Sequence, residues 1–565
     1  MNQTVNRPIK HILPSESFIA FNAFRIATST LIWARDASAA GDYLDRCGFC
    51  VPLPDELPEL YGQEQIEMLA ERYGGPGISI NGGGVRCGNV NGFQIKGVGP
   101  TELAGVGADY WHSYGGATLK EALRETIWGE VLNRALPFGA VTVEAIIVVS
   151  GSEVELPYPA SNGQKTCPRA LIIRPQFVRP AHYLRAPLFR ASQQFKAGNV
   201  TDTERTQAAI QSLRAELIHI LAATPQTSIV DLLTQTYQRF AAQVAAARAK
   251  RLFHGSLSAS NIALDARLVD FGMSSSVSDH GRIIIARGCP DVWMQHSILA
   301  ASIHDLAFFI RKYSNLILDH VEVSRVVMNE FQRTLDDRFA VEILKLTGVP
   351  EQRLLSLPNS ELQQFFKPFL GLIEAGNREP FKLLSPCPDY VPCMPTQMGR
   401  YHLSTCIKLA ILASTKNEAN AVLTAELPEA TLRQAFVESI WGLRTLYLTE
   451  REGEAASRAI DFLKFNAFRL NTNISSLYAY NLNSAIDHAI ASGGDLQSFI
   501  LQTVQGAAQW VQDSKDQGVW IKSNDIEVFG KEDLGLVCDS HSLTFSELSE
   551  RLPDPFSLPQ DRKGL

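Results

Sequence analysis

Residues 253–272 read FHGSLSASNIALDARLVDFG and carry the sharpest chemical signal in the chain. A His-Gly pair begins at His254, Asn261 follows seven residues later, and Asp270-Phe-Gly comes nine residues after that. Placed at the ends of two short strands, Asn261 and Asp270 offer the hard oxygen ligands that Mg2+ takes alongside substrate phosphates. The chemistry this pair allows is group transfer from a nucleoside triphosphate, with ATP as donor and Mg2+ as cofactor.

Upstream, the other parts of such a site stand in order. NGGGVRCG (81–88) is a candidate glycine hairpin, in which the backbone N–H groups at Gly82, Gly83 and Gly84 could approach phosphates that side chains would block. Arg86 lies in the same hairpin. FQIK (93–96) alternates like a strand and ends in Lys96. Glu125 lies on the helix that follows, where it can pair with Lys96 and hold it against the phosphates. Each piece alone could be a turn, a solvated strand end or a surface helix residue; together they fit one ATP site.

This order resembles that of the protein kinases. It implies an α+β, bilobal, protein-kinase-like fold with Lys96, Glu125, Asn261 and Asp270 as catalytic residues. SIHDLAFFIRKY (302–313) resembles the helix after the activation segment of small-molecule kinases, which implies that Asp305 anchors the catalytic loop. More specifically, GGGVR (82–86), IKGVGPT (95–101) and LRE (123–125) resemble the SelO (YdiU) family of kinase-fold protein adenylyltransferases, over about 75–275. The resemblance implies an inverted ATP, transfer of AMP to a Ser, Thr or Tyr hydroxyl with loss of pyrophosphate, and two arginines on the far phosphate. By order these are Arg179 and Arg185, with Arg174 a competitor because the spacing differs by one residue. A guanidinium fork grips phosphate bidentately.

Two departures bear on the mechanism. Kinases with His-Gly-Asp place the catalytic Asp two residues after the His, where this chain has Ser256. SelO proteins place an Asp directly before the Asn, where this chain has Ser260. A general base contributes about 10²–10⁴ in rate, so three readings stay open: a non-catalytic ATP-binding pseudokinase scaffold, substitution by another carboxylate such as Asp265, or a nucleophile that is already an anion. In the last, a peptide C-terminal carboxylate becomes an acyl-adenylate, as in peptide natural-product maturation by proteins of the microcin MchC/MceJ type, which the glycine motif resembles. A phosphotransferase acting on a small molecule is disfavoured by Ser256.

Around these residues, the expected elements are a mixed, mainly helical extension over 1–70, a small lobe over 71–185, a helical large lobe over 186–400 and a helical C-terminal region over 401–565. Within the small lobe, 118–136 has a helical apolar period and opens on Thr118 and Glu121, a capping-box pair. The Val/Ile-rich runs 140–150 and 170–178 read as strands, and 266–269 as a short β-type run. The pentapeptide FNAFR occurs at both 21–25 and 465–469 and carries no weight as a repeat.

Composition bounds the rest. In 565 residues, 45% hydrophobic and 20% charged, the balance is globular. A net charge of −7 argues against a protein that coats nucleic acid. The longest apolar run is far short of the ~20 residues of a spanning helix, and MNQTVNRPIKHILPSESF has no signal-type apolar stretch. Nine scattered cysteines are no disulfide framework, so a cytoplasmic protein is expected. The lone Cys47-Gly-Phe-Cys50, and Cys387, Cys393 and Cys406 with His402, are weak metal candidates because their spacing is irregular. The expected partners are a protein or peptide substrate and a partner enzyme, with no nucleic acid and no membrane.

Overall fold

The computed structural model describes residues 7–156, 159–284, 290–376, 382–383, 403–449, 451–513, 518–523, 526–538 and 541–552. It is a mixed α/β protein with a curled antiparallel sheet and a helical C-terminal region. Eight strands build the sheet: β1 (Phe18–Ile26), β2 (Ser29–Ala34), β3 (Phe49–Cys50), β4 (Tyr61–Glu71), β5 (Cys87–Val90), β6 (Phe93–Lys96), β7 (Ala145–Glu155) and β8 (Thr166–Pro175). Their order is β2–β7–β8–β6–β5–β4–β1–β3.

β7 and β8 are apolar on both faces because both faces are covered. Ile146 and Ile172 point towards helix α1 (Leu119–Ala135) and its buried Leu123, Ile127 and Trp128. Their neighbours Ile147 and Ile173 point to the opposite core, with Ile95, Met68 and Cys47. That is the two-residue period of a pleated strand.

α1 starts where its cap predicts. Thr118 Oγ1 accepts from the backbone N–H of Glu121 at 3.0 Å. The reciprocal half of the capping box is missing, because the Glu121 carboxylate is engaged by Arg86 and Lys96. Behind α1 run α2 (Ile229–Ala249), packed along α4 (His320–Lys345), and α3 (Ser297–Tyr313), packed on α4 in turn. From the C-terminal region, α5 (Ala479–Ser492) and α6 (Leu496–Val511) both pack against α1.

Three expectations are corrected. Residues 1–70 are not mainly helical and not an extension: β1, β2, β3 and most of β4 belong to the central sheet. β4 is rich in Glu, Gln, Met and Leu, all good helix formers, but it is paired by β1 on one side and β5 on the other, and tertiary pairing overrides its propensity. The C-terminal region is not all helical: four antiparallel strands, Val519–Ser523, Ile526–Lys531, Gly535–Cys538 and His541–Leu543, form a meander before the helix Phe545–Arg551. Finally, 266–269 is no strand; it makes only isolated bridges from Leu268 to Ala140 and Ile262.

Where Lys96 ends β6, the chain turns at Gly97 with φ +93°, and a Cβ there would lie 2.5 Å from the Ala170 carbonyl oxygen. Gly92 has a similar φ of +85° but open space around it. Gly97→Ala is therefore expected to cost at least ~2 kcal/mol in urea unfolding, against ~1 for Gly92→Ala. Equal losses at the two positions would show that the close approach at Gly97 contributes nothing.

Candidate active site

Lys96 lies at the centre of the site and is 2% exposed. Its Nζ pairs with Glu125 Oε1, with Glu121 Oε1 at 2.8 Å and with Asp270 Oδ1 at 3.2 Å. Glu121 and Glu125 stand four apart on α1, so one helix face presents both carboxylates. A second layer of cations closes the cluster. Arg86 grips Glu121 bidentately at 2.8 and 2.9 Å. Arg174 donates to Glu125 Oε2 at 3.2 Å and to Gln94 Oε1 at 2.7 Å. Three cations thus face three carboxylates.

The electrostatics follow from this balance. Burial opposes the charge of Asp270, but Lys96, Arg86 and Arg174 outweigh it and hold the carboxyl below the usual range. Burial likewise opposes Lys96, yet Asp270, Glu121 and Glu125 keep it protonated above the ordinary lysine range. At Glu121, Arg86 and Lys96 overcome burial and lower the carboxyl. Glu125 is the exception: burial, helped by the charges of Asp270 and Glu121, raises it.

Asp270 is held in a left-handed backbone conformation, φ +68°. Such a residue costs about 1–3 kcal/mol and persists only where its surroundings determine it. Here they do. The N–H of Val269 donates to Asn261 O at 3.1 Å. Arg124 Nε reaches the carbonyls of Phe271 and Gly272 at 3.2 and 3.1 Å, and its other nitrogens hold Ser274 O and, at 2.8 Å, Asn483 Oδ1 of α5.

Asn261 donates Nδ2 to Ser256 O at 2.8 Å, which leaves Oδ1 as its ligand-capable atom. His254 is structural: it is buried, its Nε2 meets Val269 O at 2.8 Å, and burial lowers its pKa. Ser258 and Ser260 hydrogen-bond to one another at 2.8 Å.

The loop between β4 and β5 covers this floor. A Cβ on Gly83 (φ +140°) would lie 2.2 Å from Glu71 O, so the loop backbone lies flush on the end of β4. The Glu71 carboxylate is fully buried and accepts from Asn89 at 2.9 Å, His182 at 3.0 Å and Gln94. Against burial, the His182 hydrogen bond and the Arg179 charge hold it at about 2. Arg179 lies 3.6 Å from Glu71, donates to Ser260 O at 2.8 Å and lies over Tyr73 and Phe177. Its Nε is buried with no hydrogen-bond partner among the described residues.

These groups open on one cleft of ≈ 600 Å³. Gly83, Gly84, Arg86, Lys96, Asn261 and Asp270 line it, with Ser256 and Ser260 on its floor and Arg174 and Arg179 on its wall. Three candidates lie outside that lining. Gly82 packs on the Phe189 ring. Glu125 sits behind Lys96. Arg185 is turned away, bound to Asp202 at 2.6 Å and Tyr313 at 3.5 Å, so of the three arginines considered for the far phosphate, Arg174 and Arg179 reach the cleft. Asp305 makes no hydrogen bond to the 254–261 loop among the described residues; Gln295 and Arg179 hold that backbone instead.

Sequence reasoning missed Glu121 as a site residue, although its place four before Glu125 signals it. It also missed Glu71 and Arg124, which only the folded sheet and the contact with α5 reveal. Trp111 and His112 also line the cleft. Cys47 and Cys50 are buried thiols pushed up to about 12 and about 11, unsuited to redox work. Cys387, Cys393 and His402 lie outside the described residues, and Cys406 is buried.

The donor set is hard oxygen: Asp270 and Asn261 face the cleft, and Glu121, Glu125 and Asp270 bring carboxylate oxygens within 4.8 Å of one another. Such ligands suit Mg2+. No helix among the described residues is long and apolar enough to cross a membrane. No protein-family model matches the chain, and no curated protein matches it.

Lys96→Met removes the cation that three carboxylates share. Unfolding in low Mg2+ should lose about 3–5 kcal/mol, the usual consequence of orphaning a buried ion pair. Millimolar Mg2+ should restore part of this loss and stabilise the variant more than the wild type, because the freed carboxylates become ligands. An unchanged urea midpoint, or no response to Mg2+, would contradict the picture of a shared cation.

Proposed function

We propose that the chain is a Mg2+- and ATP-dependent nucleotidyl transferase, with a two-lobed kinase-like fold similar to that of the SelO family, acting on a protein or peptide. The observation that carries the reading is that one cleft gathers Lys96, clamped by Glu125, the oxygen ligands Asn261 and Asp270, the glycine loop, and two arginines.

Asp270 and Asn261 would hold Mg2+, which when bound supplies charge neutralisation on the phosphates. Lys96 and Arg86 offer further positive charge beside the glycine loop. Arg174 and Arg179 line the cleft and would grip the terminal phosphates. An acceptor oxygen attacks the α-phosphorus. The bond from that phosphorus to the oxygen bridging to the β-phosphate breaks, and pyrophosphate leaves with the electron pair. A hydroxyl acceptor must also lose its proton.

A specific observation favours a carboxylate acceptor, which has no proton to lose. The two expected base positions, Ser256 and Ser260, are serines lying on the cleft floor. The carboxylates in the described lining, Glu121 and Asp270, are both ion-paired. Asp265 is bound to Arg267 at 2.8 Å and is not part of that lining. In this second reading the product is an acyl-adenylate of a peptide C-terminus.

Incubation with α-³²P-ATP or γ-³²P-ATP, Mg2+ and peptides bearing free or amidated C-termini tests both readings. The expected outcome is transfer of label to the peptide from the α position only, with release of unmodified pyrophosphate (labelled when γ-³²P-ATP is used), both abolished in Lys96→Ala and Asp270→Ala. Arg179→Ala should be slower by about 10²–10³, the scale for losing one preorganised donor to developing charge. Dependence on a free C-terminus selects the acyl-adenylate, and indifference to amidation selects hydroxyl adenylylation. Label transferred from the γ position would overturn the proposal. ATP binding without turnover would leave the pseudokinase scaffold as the reading.

A further inference from the structure

A second cavity, of ≈ 350 Å³, lies between the start of α1, the outer end of the β7–β8 hairpin and α5 of the C-terminal region. It shares Arg86, Trp111, Glu121 and Gly272 with the main cleft. Gly272 stands two residues from Asp270, and Glu121 touches Lys96. A group seated in this cavity is therefore beside the reacting end of the cleft.

Its walls indicate what would sit there. Trp111, Tyr114 and Tyr480 contribute rings, and Leu156 and Pro159 contribute apolar surface. The rings are already ordered: Tyr110 stacks on Tyr114 at 5.1 Å, and Trp111 meets Tyr114 edge-on at 6.1 Å. The charges in the wall are largely satisfied by one another. Lys120 pairs with Asp487 at 2.6 Å, Asp487 also accepts from Ser161 N at 2.8 Å, Arg86 is held by Glu121, and Arg124 is held by Asn483 and backbone carbonyls. Glu155, exposed at the rim, carries the remaining charge and opposes an anion. Among the described residues a phosphate would find no free cation here; a neutral ring or apolar side chain would find aromatic faces. Ser161, Ser484 and Asn483 add uncharged groups suited to peptide amides.

A transferase needs room for its second substrate next to the first. We propose that this cavity is the acceptor pocket and takes an uncharged aromatic or apolar residue of a peptide acceptor close to its reacting group. The proposal rests on the reading of the main cleft as a nucleotide site. It also gives the C-terminal helical region a direct part in substrate choice, through Tyr480 and Ser484 of α5.

Saturation-transfer NMR with N-acetyl-tryptophanamide as probe tests it, alongside calorimetric titration of Mg·ATP. The variants are Tyr480→Ala, a 53% exposed residue whose loss leaves the core intact, and Ser484→Trp, which fills the cavity. In the wild type the indole should receive saturation both without and with saturating Mg·ATP. Both variants should weaken the probe about tenfold while changing Mg·ATP affinity by less than about twofold, Tyr480→Ala by losing an aromatic anchor and Ser484→Trp by occupying the probe's space. Displacement of the probe by Mg·ATP, or an equal loss of ATP affinity in the variants, would assign the cavity to the nucleobase and overturn the proposal. Retained ATP binding with no probe signal overturns the pocket alone. Absence of Mg·ATP binding to the wild type overturns the nucleotide reading and the acceptor assignment with it.

Discussion

The constraint on which the rest of the structure depends is a buried lysine that must satisfy three carboxylates at once. Lys96 cannot be buried without counter-charges, and Glu121, Glu125 and Asp270 cannot be brought so close without a cation between them. Each needs the others, and the four come from three separate parts of the chain: a strand end, one face of α1 and the 270–272 turn. Arg86 and Arg174 bring the two layers into balance and tie in the glycine loop and β8. The sheet and α1 are thereby fixed relative to the Asp270 turn by charge as well as by apolar packing.

The C-terminal region enters through the same helix. Arg124, next to Glu125 in sequence, holds the carbonyls that follow Asp270, while Asn483 of α5 orients its guanidinium. Asp487 of the same helix binds Lys120 at the start of α1 and the hairpin at Ser161. α5 is therefore part of the shell that keeps Asp270 in its left-handed conformation. That links the helices behind the sheet to the geometry of the cleft, and it makes the second cavity, walled by the same helix, continuous with the site.

Much of this local order was readable from residue types. α1 announces itself by its apolar period and its Thr118 cap, β6 by alternation, β8 by its Val/Ile-type run, and Lys96 with Glu125 by charge and order. What was not readable depends on pairing partners far away in sequence. FNAFR shows the limit most clearly: at 21–25 it lies in strand β1, and at 465–469 it lies in the helix Gly453–Leu470. The same five residues take whichever structure their neighbours impose. β4 was obscured in the same way by its helix-forming composition. Arg185 and Asp305 were misplaced because order along the chain does not say which way a side chain turns; Asp202 captures Arg185, and Gln295 does the backbone work expected of Asp305. Glu71 gives no sequence signal, since a lone Glu at a strand end usually faces solvent.

The central claim is that this charge cluster is the metal and triphosphate end of a nucleotide site. The most direct measurement is calorimetric titration of ATP into the full chain with and without Mg2+, for the wild type and for Asp270→Asn. That substitution keeps the shape of the side chain and removes its charge. The account predicts saturable binding that Mg2+ tightens by about tenfold or more, with the Mg2+ gain lost in Asp270→Asn. Binding that ignores both Mg2+ and Asp270, or no binding at all, would contradict it.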